Sequence, residues 1–104
     1  MKITTWERIA LEYLYKAWND YSEPLRSVHT PYGLMRYFYG TRYNRSVTFW
    51  QKVLKNLKKK GLVSEEIIGF DSYWRLTQKG EEVLKELGID VMMRKIWGEK
   101  WRYA

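Results

Sequence analysis

The sequence predicts a mostly helical α+β domain, and three observations carry that expectation. Apolar residues recur at three- and four-residue steps in several separate segments, the stretch from Leu62 to Leu76 changes to β-forming residues around a glycine, and 104 residues suit one domain rather than two. With no cysteine, neither disulfides nor thiolate metal sites can brace so short a chain, so its core must be apolar. An apolar share of 45%, with six Trp, nine Tyr and three Phe, supplies that core and argues against disorder.

The first helix is expected over Thr5 to Trp18. Trp6, Ile9, Ala10, Tyr13, Leu14 and Ala17 form one apolar stripe, and Thr4 with Glu7 three places on has the pattern of a capping box. Tyr21 to His29 reads as a loop with Ser27 to His29 briefly extended, because Pro24 and Pro31 disfavour helix in the residues before them. Thr30 then caps a second helix whose first residue is Pro31, where the missing N–H loses no intrahelical bond. Leu34 and Phe38 face the core, and Gly40 ends this helix after about nine residues.

After a polar turn from Thr41 to Asn44, the longest periodic segment runs from Arg45 to Lys60. Its apolar side consists of Val47, Trp50, Val53, Leu54 and Leu57, and at 100° per residue Arg45, Thr48, Lys52, Lys55 and Lys59 point the opposite way. Gly61 closes it. Leu62, Val63, Ile67 and Ile68 suit a strand, Gly69 to Ser72 a turn, and Tyr73 to Leu76 a short second strand, so a hairpin is the economical reading. Thr77 caps a further helix through Val83, Leu84 and Leu87 that ends at Gly88, and helical steps resume at Met92, Met93, Ile96 and Trp97.

Charge is concentrated rather than spread. From Pro24 to Ser64 there is no acidic residue and there are nine basic ones, whereas the rest of the chain is close to neutral with ten basic and twelve acidic residues. A lysine run is often a solubilising helix face. The other reading is an anion-binding surface, most often for nucleic acid.

Helix, helix, turn, basic helix, hairpin and helix is the order of a winged helix-turn-helix, a three-helix core with a β-hairpin wing and additional C-terminal helices. The stretch LKNLKKKGLVSEEIIGFDSYWRLTQKGEEVL, Leu54 to Leu84, resembles the signature of small archaeal and bacterial winged-helix regulators of the MarR and PadR type. Its carriers are two leucines three apart, a glycine ending the recognition helix, Leu-Val opening the wing, and aromatic-x-Leu-Thr-x-x-Gly. The resemblance implies a DNA-binding domain over residues 1–88, with the helix from Arg45 to Lys60 entering the major groove, and a helical tail over residues 89–104. It also implies a transcriptional regulator that binds double-stranded DNA sequence-specifically, is not an enzyme and needs no cofactor. Two alternatives stand beside it, a winged-helix protein-interaction module and a non-specific architectural DNA-binding protein.

In such a docking the N-terminal half of the helix approaches the bases. Asn44 lies in the turn leading into it, and Arg45, Ser46, Thr48, Phe49 and Lys52 are the base-edge candidates, since Arg and Lys donate to guanine and an aromatic edge meets a thymine methyl. Arg36, Arg42, Lys55 and Lys59 suit phosphates. The expected wing departs from the pattern, carrying Glu65, Glu66 and Asp71 with Arg75 its only cation. The expectation is that its tip stays off DNA; contacts through Gly69, Ser72 and Tyr73 are the other option. Tyr32, Tyr37, Tyr39 and Tyr43 gather near the basic helix, where packing with a wet hydroxyl is the ordinary role and stacking on unpaired bases the rarer one.

Other features weigh less. His29, the lone histidine, reads as a polar loop residue and not a metal ligand. Adjacent pairs Glu65-Glu66 and Glu81-Glu82 diverge in direction and form no acid/base dyad. The tail from Ile89 admits three readings: packing back as core, a homodimer interface through Ile89 to Trp101 together with the first helix, or an interfacial membrane helix, the last ranked below the others. No apolar run approaches the roughly 20 residues of a membrane span, and no secretory signal opens the chain, so the expected setting is the cytoplasm or nucleoid, or a host cytoplasm if the protein is viral. Abundant Lys, Glu, Tyr and Trp resemble small proteins of thermophilic archaea and their viruses.

Overall fold

The computed structural model describes residues 2–20 and 27–88, and everything stated below about contacts concerns these. Among the described residues four α-helices and a two-stranded antiparallel hairpin make up a winged-helix fold. The first helix, α1, spans Thr5–Asp20. Its capping box is reciprocal: the Thr4 N–H donates to Glu7 Oε1 at 2.8 Å and the Glu7 N–H donates to Thr4 Oγ1 at 3.1 Å. The helix outruns the expected end at Trp18 by two polar residues, a difference of the size by which helix ends ordinarily vary. Beyond the expected stripe Leu11 and Glu12 are also buried, because α1 is enclosed on several sides by two later helices, the second strand of the hairpin and the turn at Ser27–His29.

Ser27–His29 is a 3-10 turn, not the extended stretch expected from the prolines. The Thr30 N–H and hydroxyl both donate to the Ser27 carbonyl, at 3.2 and 2.6 Å, and this closes the turn. His29 also departs from its expectation as a loop residue: it is fully buried, its ring stacked on Trp18 at 3.8 Å. Helix α2, Pro31–Tyr37, begins as expected with Thr30 Oγ1 accepting from the Gly33 N–H. It is shorter than expected. Phe38 is already its C-cap, and a turn with Gly40 at φ +78° follows.

Helix α3, Val47–Lys59, buries Trp50, Val53, Leu54 and Leu57. Gly61, at φ +76°, reverses the chain, and the Leu62 N–H returns to the Leu57 carbonyl at 3.0 Å. Strand β1, Val63–Ile68, pairs with β2, Asp71–Leu76, in a register that sets Val63 opposite Leu76 and Ile68 opposite Asp71. Only Gly69 and Phe70 form the turn. Asp71 and Ser72, expected in the turn, continue the second strand, because Gly69, at φ +64°, lets the chain reverse within two residues.

Helix α4, Gln78–Glu86, starts at Thr77, whose hydroxyl accepts from the Gly80 N–H. Its far end is held by Arg8, which donates to the Leu87 carbonyl at 2.6 Å. Ile9, Leu14, Leu34, Phe38, Trp50, Leu57, Trp74 and Leu84 share one core between these elements. Phe38 stacks on Trp50 with ring centroids 5.7 Å apart. Truncating a buried ring of this kind costs about 3–5 kcal/mol, so the aromatic centre contributes to holding α3 alongside Leu54 and Leu57.

Candidate nucleic-acid interface

The connection between α2 and α3 is built by hydroxyls. Thr41 Oγ1 donates to the Phe38 carbonyl at 2.7 Å and accepts from the Tyr43 N–H at 3.1 Å, then Ser46 Oγ accepts from the Phe49 N–H at 3.1 Å. Ser46 is therefore the N-cap of α3, and the helix begins at Val47. This corrects the expected start: Arg45 and Ser46 lie before the helix, because the cap requires Ser46 to be extended. The expected end at Lys60 is likewise one residue late, since Lys60 is the C-cap.

On α3 itself Thr48, Lys52, Lys55 and Lys59 are exposed along the face turned away from the core, with Gln51 and Asn56 exposed beside them. Two further lysines are engaged within the fold. Lys58 pairs with Glu65 of β1 at 3.0 Å, and Lys60 pairs with Glu7 of α1 at 2.8 Å. A hydrogen bond from Ser72 lowers the Glu65 carboxyl below its usual value; burial opposes this, and the hydrogen bond and charge of Lys58 and the charge of Lys55 reinforce it. The acidity of the wing is thus partly internal, since Glu65 anchors the hairpin to α3, while Glu66 and Asp71 stay exposed.

The arginines around α3 rest on aromatic rings. The Arg45 guanidinium lies 4.2 Å from the Trp6 ring centroid and 5.8 Å from that of Phe49, and it donates to the Asn44 carbonyl at 2.6 Å. Arg42 lies over Tyr43 at 5.5 Å and Arg36 over Tyr32 at 5.8 Å. Such stacking, worth about 0.5–1 kcal/mol at exposed sites, restrains a long side chain without neutralising it. Phe49 is half-buried, edge-on to Trp6 and Trp50 at 5.2 and 5.4 Å, so it supports the face more than it presents itself. Tyr43 and Tyr37 are also half-buried, whereas Tyr32 and Tyr39 are exposed.

The expected residues therefore fall into two places. Arg42, Asn44, Arg45, Ser46, Thr48, Phe49, Lys52, Lys55 and Lys59 follow the connection and the length of α3, with Arg36 on α2. Arg75 is elsewhere. It stacks 4.0 Å from the ring centroid of Trp18, near the far end of α1 from Trp6, which at 1.5 Å per residue is about 18 Å along that helix.

Two features escaped the sequence reading. The tip of the hairpin is apolar and solvent-facing: Ile67, Ile68 and Phe70 are exposed, Phe70 completely. The signal was the run Ile67-Ile68-Gly69-Phe70 at a predicted turn, where strand alternation cannot place both isoleucines on one buried face. The second is a groove of about 540 Å³ between the start of α1 and one flank of α3, lined by Trp6, Phe49 and Val53 with Lys52, Asn56 and Lys59 beside them. Nothing in linear spacing shows it, because α1 and α3 meet only in the fold. Among the described residues no group of three His, Asp or Glu side chains could hold a metal ion, and no helix is long and apolar enough to cross a membrane. The expected dimer element, Ile89 to Trp101, lies outside the described residues.

Comparison with known protein families matches residues 37–99, more than half of the chain, to the RQC domain, from the end of α2 through α3, the wing and α4. Neither curated proteins nor solved structures give a match. The matched family is not that of the MarR and PadR regulators which the Leu54 to Leu84 stretch resembles; the winged-helix fold is what the two have in common. With this fold, and with the match running through its basic helix and wing, the chain belongs to the RQC domain family, a winged-helix DNA-binding domain found in RecQ helicases.

Proposed function

We propose that this protein binds double-stranded DNA sequence-specifically by inserting α3 into the major groove, and that it works as a small transcriptional regulator by occupying its site, without chemistry on the DNA. The observation that carries this reading is the segregation of charge: Lys52, Lys55 and Lys59 share one exposed face with Thr48, while Glu65 and Glu7 are paired to Lys58 and Lys60. A groove about 12 Å wide admits one helix, and a helix docked by Trp50, Leu54 and Leu57 offers it the opposite side. Thr48, Lys52 and Arg45 then address base edges, and Lys55, Lys59, Arg36 and Arg42 the phosphates. Selection from a random duplex pool at near-physiological salt tests the proposal. An enriched motif is expected; binding without enrichment would overturn specificity and leave an architectural role.

The exposed tip favours a second reading, in which Phe70 and the two isoleucines act as an apolar wedge against unstacked bases at a duplex end or fork. Phe70→Ala would then weaken binding to forked DNA while leaving closed duplex unaffected. Equal affinities of the variant and the parent for the fork would exclude this use of the tip.

A further inference from the structure

We propose that the wing tip of one copy of this chain seats in the groove between α1 and α3 of a second copy. The two surfaces complement each other in polarity. The tip places Ile67, Ile68 and Phe70 in solvent, 67%, 49% and 106% exposed, between the acidic Glu66 and Asp71. The groove has a floor of Trp6, Phe49 and Val53 and a rim carrying Lys52 and Lys59, with Lys60 already paired to Glu7. An apolar insert with carboxylates at its shoulders meets an apolar slot with ammonium groups at its edges. At about 540 Å³ the open slot has room for an aromatic side chain and its neighbours.

The chain's own wing is on the wrong side to fill its groove. Phe49, in the groove, and Lys58, which holds Glu65 of the wing, are nine residues apart on α3; at 3.6 residues per turn that is a half-turn beyond two full turns, so they occupy opposite flanks. The occupant therefore comes from another copy, through a contact between two different patches. Lys52, Asn56 and Lys59 belong both to the groove and to the exposed surface of α3, so a seated wing removes cations from the DNA-facing side.

Sedimentation velocity of the full chain without DNA, from micromolar to submillimolar concentration, tests the proposal. The mass is expected to rise from 12.7 kDa to at least twice that value, more readily at low salt. Phe70→Ser, at a position with no packing to lose, is expected to remain monomeric with an unchanged melting temperature. Two charge-reversed variants, Lys52→Glu with Lys59→Glu and Glu66→Lys with Asp71→Lys, are each expected to lose association alone. Mixed together they are expected to regain it, because the acidic wing of the first fits the basic groove of the second and the reverse pair fits as well. A parent chain that stays at 12.7 kDa throughout, a Phe70→Ser variant that associates like the parent, or a mixture that remains monomeric would each overturn the proposal.

Discussion

The Lys60 ammonium lies 2.8 Å from both carboxylate oxygens of Glu7, tying the end of the basic helix to the first turn of α1. Lys60 also donates to the Lys2 carbonyl at 2.8 Å, and Glu7 closes the capping box with Thr4, so one pair fixes three segments. Burial pushes the Glu7 carboxyl up, but hydrogen bonds from Lys60 and Thr4 and the charge of Lys60 outweigh it, and the net shift is downward from 4.5.

A lowered folded pKa contributes stability that is complete above the ordinary value of 4.5 and is lost as pH falls through the folded value. Glu7→Gln is expected to lower stability by about 2 kcal/mol at neutral pH, the scale of a hydrogen-bonded charge removed from a largely buried site. Its difference from the parent is expected to shrink below pH 4.5, in denaturant titrations across pH. A difference independent of pH would show that the ion pair is not its source.

Lys52→Ala and Lys55→Ala separate direct from incidental roles of the basic face. Each is expected to weaken binding to duplex DNA, and each lost phosphate contact reduces the slope of log affinity against log salt by about one. Anisotropy titrations at several salt concentrations measure both, and unchanged affinity in both variants would remove α3 from the interface.

Arg75→Ala is expected to leave that slope unchanged. Its guanidinium rests on Trp18 toward the far end of α1, so the loss is one of stacking, about 0.5–1 kcal/mol in thermal or chemical unfolding. A slope reduced by a full unit would instead place Arg75 on the phosphate backbone.

Gly80→Ala is expected to destabilise by about 3 kcal/mol or more. An added Cβ would fall on the Leu62 carbonyl oxygen, the same atom that accepts from the Thr77 N–H at 3.0 Å. Gly61→Ala meets no atom within 4 Å and is strained only by its φ of +76°, so a smaller loss is expected in the same unfolding measurement.

Local signals were enough for much of the architecture. Thr4 with Glu7, Thr30 before Pro31, and Thr77 announced three helix starts that the hydrogen bonds then show, because caps act within three residues. The exposed face of α3 was equally legible, since helical geometry alone sets Thr48, Lys52, Lys55 and Lys59 opposite Trp50, Leu54 and Leu57. The same wheel misplaced the start of α3, because periodicity does not tell a first helical residue from the cap before it, and Ser46 was the cap.

Composition and spacing by themselves determined that this chain is a helical domain with a hairpin and one basic helix face, because those properties depend on neighbours a few residues away. Only the tertiary structure decided which charges are tied up in ion pairs. Lys58 and Lys60 look like Lys55 and Lys59 in the sequence, yet Glu65 and Glu7, 7 and 53 residues distant, pair directly with the first two and not with the second. It also decided that His29 is buried on Trp18, that Arg75 stands apart from α3, and that an apolar wing tip and an apolar groove face solvent on opposite flanks of one helix. Those outcomes follow from long-range packing, where the geometry of the whole core sets which side chains meet.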